Sequence, residues 1–133
     1  MFRLIKYEHG AINVPEPEYY DAKASEAIER GEALTLVDGA VTKCSGATRP
    51  THIALGAVSA AATEREIAVC RVDNNQQYEV PVSAAPTSLK VGAMVTINST
   101  GTEVTATTTD GVATIINING AKAAGDTVVV RFA

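Results

Sequence analysis

Apolar side chains recur at every second position over short stretches of this chain, and glycines punctuate them. Ile28-Glu29-Arg30-Gly31-Glu32-Ala33-Leu34-Thr35-Leu36 sets an apolar residue three before its glycine and others three and five after it. The phrase returns as Leu89-Lys90-Val91-Gly92-Ala93-Met94-Val95-Thr96-Ile97, and Gly125-Asp126-Thr127-Val128-Val129-Val130 is a weaker echo. Glycine takes positive φ cheaply, and a period of two puts alternate side chains on one face of a strand. The pattern therefore predicts turns that open into β-strands.

The same reading assigns the segments between these phrases. Leu34 and Leu36 run into Asp38-Gly39 with Val41 beyond, the signal of a two-residue hairpin. Residues 45–50 form a loop by composition, and His52 to Ser59 alternates as a strand. Glu66 to Val72 and Tyr78 to Val82 read as a strand pair joined by residues 73–77. Pro81 marks a strand end or edge, because it has no donor for a central ladder. Met94 to Asn98 turns at Ser99-Thr100-Gly101 and returns over residues 102–107. Asp110-Gly111 and Asn119-Gly120 are further turns, ahead of strands over Val112 to Ile118 and Thr127 to Phe132. The threonines from Thr96 to Thr109 suit a half-buried, solvated sheet face. Helix is expected for at most one short turn, over Asp21 to Arg30 with Gly31 as its cap, and its apolar stripe is mostly alanine. About nine short strands at close spacing define an all-β chain, a small barrel or sandwich.

Length fits one domain: 133 residues can bury roughly two thirds of their unfolded surface without staples. Charge divides the chain more clearly than any linker, being dense before residue 33 and sparse after residue 81. Residues 1–20, with Pro15 and Pro17 holding their neighbours extended, read as an N-terminal arm, and 21–133 as a single β-barrel domain. The arm has two readings, a strand docked on its own domain or a segment laid on a neighbour. On the second, residues 1–18 are expected to be removable without unfolding the rest.

Eleven Lys and Arg against 15 Asp and Glu leave a net charge of −4, which disfavours a protein that grips nucleic acid through phosphates. No apolar run approaches the ~18 residues of a membrane span, and Met1 to Glu8 lacks the apolar core of a secretion signal. Synthesis in a cytoplasm and no membrane partner are the expectations. Cys44 and Cys70 then read as reduced, partly buried thiols.

No constellation carries catalysis. Histidine occurs only as His9 and His52, and nothing local orients either toward Cys44 or Cys70 as a nucleophile. No close-spaced ligand pair calls for a metal, and no glycine cluster opening a helix calls for a nucleotide. The expectation is a non-enzyme with no catalytic, cofactor or metal residues.

Gly31-Glu32-Ala33-Leu34-Thr35-Leu36 with Asp38-Gly39, followed by Ile53-Ala54-Leu55-Gly56-Ala57-Val58-Ser59-Ala60-Ala61, resembles the small head-decoration proteins of tailed bacteriophages. The resemblance runs over most of the chain from about residue 20 and includes the arm and the alanine-rich stretch. It implies a β-tulip or related barrel on the exterior of a matured capsid, made in the host cytoplasm. It further implies that the protein cements adjacent major capsid protein subunits, as a homotrimer at local threefold positions. Phe2, Leu4, Tyr7, Tyr19 and Tyr20 are then the expected contact residues, since large apolar and aromatic side chains in a polar arm favour anchors. Two rivals come from other classes. A trimeric dUTPase-like enzyme needs a phosphate motif and a uridine pocket that cannot be placed here. A carbohydrate-binding or tail-associated module would use the threonine face and the four tyrosines, without the tryptophan that sugar platforms favour.

Overall fold

The computed structural model describes residues 1–8 and 16–132, so His9, Val14 and Pro15 lie outside the described residues. Ten strands are found among those described: β1 Arg3–Tyr7, β2 Glu18–Ala22, β3 Ala33–Val37, β4 Ala40–Lys43, β5 His52–Ala54, β6 Arg65–Arg71, β7 Gln76–Pro81, β8 Met94–Val95, β9 Ala113–Asn117 and β10 Thr127–Arg131. Five close into a barrel in the order β2-β4-β3-β5-β6, and five form an open sheet in the order β1-β7-β10-β9-β8. All pairs are antiparallel except β2 with β4. The chain is all-β, as its alternation requires.

The repeated phrase is a repeated piece of backbone. In each copy a turn bond closes three residues apart, from Glu32 N to Glu29 O, Ala93 N to Lys90 O and Asp126 N to Ala123 O. Only the third turn residue has positive φ: 78° at Gly31, 91° at Gly92 and 90° at Gly125. These are type II turns. Each glycine N–H then donates to one residue of another segment (Ala54, Ile115 or Val82), and that residue's N–H donates to the carbonyl following the glycine. Two residues oppose one, so each copy opens its strand through a bulge led by a left-handed glycine. The residues three beyond, Leu34, Val95 and Val128, are fully buried.

Alternation also explains why two cores form. Along the barrel wall Leu34, Ala54, Ile67 and Val69 point inward and join Ala22, Ile28 and Val41. Ala33, Cys44, Ile53 and Val72 face outward and pack under the open sheet, with Tyr78, Val80, Ile115, Val128, Val130 and Phe132. Strands β3 and β5 are thus apolar on both faces. Backbone bonds tie the layers as well: Gly46 and Ile97 exchange N–H···O bonds of 2.8 and 3.0 Å, and Ala33 N donates to Gly101 O at 2.8 Å.

The Asp38-Gly39 hairpin forms as expected, with φ of 50° and 82° and Val37 facing Ala40. Pro81 ends β7. The return over residues 102–107 is reduced to isolated bridges from Val104 to Ile97 and Val82. Two further expectations fail. The Asp21–Arg30 stretch is not helical: β2 runs to Ala22, Ser25 takes a φ of 64°, and Ile28 pairs with Val58 in an isolated bridge. An alanine stripe buries too little to hold a helix, whereas Ile28 is 1% exposed in the barrel core. The strands over 66–72 and 78–82 exist but do not pair with each other. β6 lies between β5 and β2, and β7 between β1 and β10. The chain changes layer at a corner where Gln76, fully buried, takes Asp73 N–H on its side-chain oxygen at 2.8 Å and donates to Arg71 O at 3.1 Å.

Candidate interaction surface

The five expected contact residues are placed differently by their strands. Phe2 is 2% exposed and stacks with Phe132 at 5.3 Å and Tyr78 at 6.4 Å between ring centroids. Leu4, half-buried, packs against the same core. Tyr7 is half-buried at the other end of β1, its hydroxyl 3.5 Å from the Gln76 side-chain nitrogen, and burial raises its pKa. β1 is therefore extended, but it lies on β7 of the chain's own sheet. With Phe2 in the core, the start of the chain contributes to its own domain's packing, the first of the two readings of the arm.

Tyr19 and Tyr20 sit on β2, where the period of two separates them. Tyr19 points outward, 61% exposed, while Tyr20 packs against the barrel core. The Tyr20 ring meets His52 edge-on at 5.1 Å, and its hydroxyl donates to Glu18 Oε2 at 3.2 Å. Glu18 also accepts two bonds from the Arg71 guanidinium at 2.9 and 3.1 Å and one from His52 Nε2 at 3.0 Å. An ionised carboxylate only accepts, so Nε2 carries the proton and Nδ1 faces the Thr51 hydroxyl at 2.9 Å. The Arg71 hydrogen bonds hold the Glu18 carboxyl below its ordinary range. This cluster joins β2 to β5 and β6 of the barrel wall. It absorbs both His52 nitrogens in structural bonds.

The thiols are free and buried. Cys44 donates to Thr48 O at 3.1 Å, and burial pushes its pKa up to about 12. Burial also raises Cys70. Both stay protonated at neutral pH, which makes them poor nucleophiles.

The two layers do not close over one another at the β1 end. There the large core opens into a groove of about 440 Å³, with Met1, Phe2, Leu4 and Tyr78 on one wall. Ile53, Leu55 and Cys70 form the other, and Arg3 and Arg30 complete the lining. Met1 and Leu55 are 53% and 40% exposed, so the opening continues into an apolar rim. A second exposed apolar pair, Val91 and Met94, flanks the Gly92 turn at the opposite edge of the sheet. Of the expected residues, the structure brings Phe2 and Leu4 together at this groove and leaves Tyr7, Tyr19 and Tyr20 elsewhere. Leu55 and Arg30 were not singled out from the sequence. Leu55 continues the outward phase of Ile53 past the end of β5, a signal that alternation offers but does not distinguish from core.

A closed barrel packed against an open antiparallel sheet is the class of fold these residues define. It is similar in fold to a solved structure, the head fiber gp8.5 N base in bacteriophage phi29, with a TM-score of 0.58 and 15% identity over 89% of this chain and 95% of that one. No family model and no curated protein matches the sequence.

Proposed function

We propose that this chain is a structural protein of a phage virion, made in the host cytoplasm and seated on the capsid exterior, where it holds adjacent major capsid protein subunits together. The observation that carries the reading is the likeness of fold, over nearly all of both chains, to a base that belongs to a phage head fiber. Large apolar side chains exposed at Met1, Tyr19, Leu55, Val91 and Met94 support it, since a partner surface is one way to cover them. Copies meet as a homotrimer in this proposal. Repetition on a symmetric shell would turn modest contacts into firm attachment through effective concentration.

Sedimentation of the purified protein with undecorated, expanded capsids of its source phage tests this. Saturable co-sedimentation, at a copy number that matches the lattice symmetry, is the expected result. Absence of binding at micromolar concentration would remove the capsid role and favour a carbohydrate-binding or tail-associated module, to be read out on a glycan array.

A further inference from the structure

We propose that the groove beside β1 receives an extended segment of the partner protein. That segment lays its backbone along the free edge of β1, sends a large apolar side chain into the opening and offers a carboxylate to Arg30. The idea deepens the virion reading and rests on it only for the identity of the partner.

Three observations converge on this occupant. The first is charge. The lining holds two guanidiniums and no carboxylate, in a chain whose net charge is −4. Arg3 is neutralised by Glu79 at 2.7 Å, but Arg30 forms no ion pair among the described residues. A partner carboxylate would meet an unmatched cation at an apolar rim.

The second is backbone. β1 is outermost in its sheet and has one ladder neighbour, β7, among the described residues. Its register is interrupted between Leu4 and Lys6, and Arg3 and Lys6 project outward, devices that restrain indiscriminate strand pairing. The opposite edge strand, β8, spans only Met94–Val95 and offers far less to pair with.

The third is shape. The cavity is a mouth of the large core, walled by Phe2, Leu4, Ile53 and Tyr78, so a side chain entering it joins a packed apolar layer. Addition of a strand, with alternate side chains filling a neighbouring pocket, is the recognition mode this pairing of features serves. The described ends of the segment 9–15 do not approach the mouth. Glu8 N bonds to Asn75 O and Glu18 to Arg71, both at the β6–β7 corner, at the far end of β1.

A display library of random nine-residue peptides, selected on the full chain, tests the proposal without a capsid. Enriched peptides should combine a large apolar residue with a neighbouring Asp or Glu. Their affinity, by fluorescence anisotropy, should fall about tenfold or more on Arg30→Glu and on Leu55→Lys, the loss typical of an anchor. Both residues are exposed, so thermal melts of the variants should match the parent. N-methylation of alternate peptide amides should abolish binding by blocking strand pairing. No enrichment, or enriched peptides that bind both variants as well as the parent, would overturn the groove. A selected peptide that fills the groove yet leaves capsid co-sedimentation unchanged would keep the groove as a strand-binding site and reject the capsid as its partner.

Discussion

The barrel and the open sheet are built from the same turn and the same alternation, yet they are held together by different means. The barrel interior contains only aliphatic side chains of small or middle size among its buried members, and a ring of ladders closes it. A polar cluster, Glu18 with His52 and Arg71, ties β2 to β5 and β6 beside their ladders. The layer beneath the open sheet has no such closure and depends on three aromatic rings, Phe2, Tyr78 and Phe132. A closed ladder tolerates a modest core. An open one needs volume.

Truncation should separate the two most strongly. Phe132→Ala, at a fully buried ring, is expected to cost about 3–5 kcal/mol in urea unfolding, whereas Ile28→Val in the barrel should cost about 0.5–1.5. A loss for Phe132→Ala no larger than that for Ile28→Val would show that the ring is not what holds the sheet layer.

The shared turn offers a finer test. Alanine at Gly92 would meet no neighbour, so Gly92→Ala should show only the left-handed backbone penalty of about 1–2 kcal/mol. At Gly31 the added methyl would also run into the Met1 side chain. Gly31→Ala should therefore be the less stable variant by thermal melting, and the reverse order would show that Met1 moves aside freely.

Two carboxylates set up opposite responses to pH. Glu18 titrates below its ordinary value because Arg71 and His52 bond to its ionised form, so its contribution is present above the unfolded value of 4.5 and disappears as pH falls through the folded one. Glu32 is 2% exposed. One oxygen accepts from Glu29 N at 2.8 Å, and the other lies 3.8 Å from Lys43 Nζ without a hydrogen bond. Burial raises its pKa, so the folded chain holds the proton more tightly than the unfolded one, and stability declines as pH rises above 4.5 through the raised value. Glu18→Gln should flatten the acid limb of a stability-pH curve, and Glu32→Gln the limb above it. An unchanged curve for either would remove its assignment.

Tyr19→Ala marks the smallest effect on folding, within about 0.5 kcal/mol, because the side chain stands in solvent. A larger loss in urea unfolding would place the ring in the barrel's cohesion.

Much of this architecture was legible in the sequence where the determinants are local. Gly31, Gly92 and Gly125 announce turns because only left-handed backbone closes them, and Asp38-Gly39 names its hairpin for the same reason. What alternation gives is the face of a strand, never what covers that face. Phe2 in a charged segment reads equally as an anchor for a neighbour or a plug for its own core, and Phe132 and Tyr78, far away in sequence, decide for the core. The 73–77 link has the length of a hairpin loop, but β6 and β7 find better partners in β2 and β10 at long range. Of the residues that line the groove, Phe2 and Leu4 stand out in the sequence as large apolar side chains in a charged segment. Arg30 does not, because its place in the lining exists only once the layers meet.

The order of strands has a consequence for how the molecule comes into being. β10, the last strand in sequence, lies between β7 and β9, in the middle of its sheet. As the chain leaves the ribosome, at roughly 5–20 residues per second, the β3–β4 hairpin can pair with itself almost at once. β1 must wait for β7, and β7 and β9 then wait with exposed edges until residues 127–131 emerge between them. Sheet completion is thus deferred until residues 127–131 have emerged, and a nascent chain stopped before them would present two unsatisfied ladders instead of one sheet.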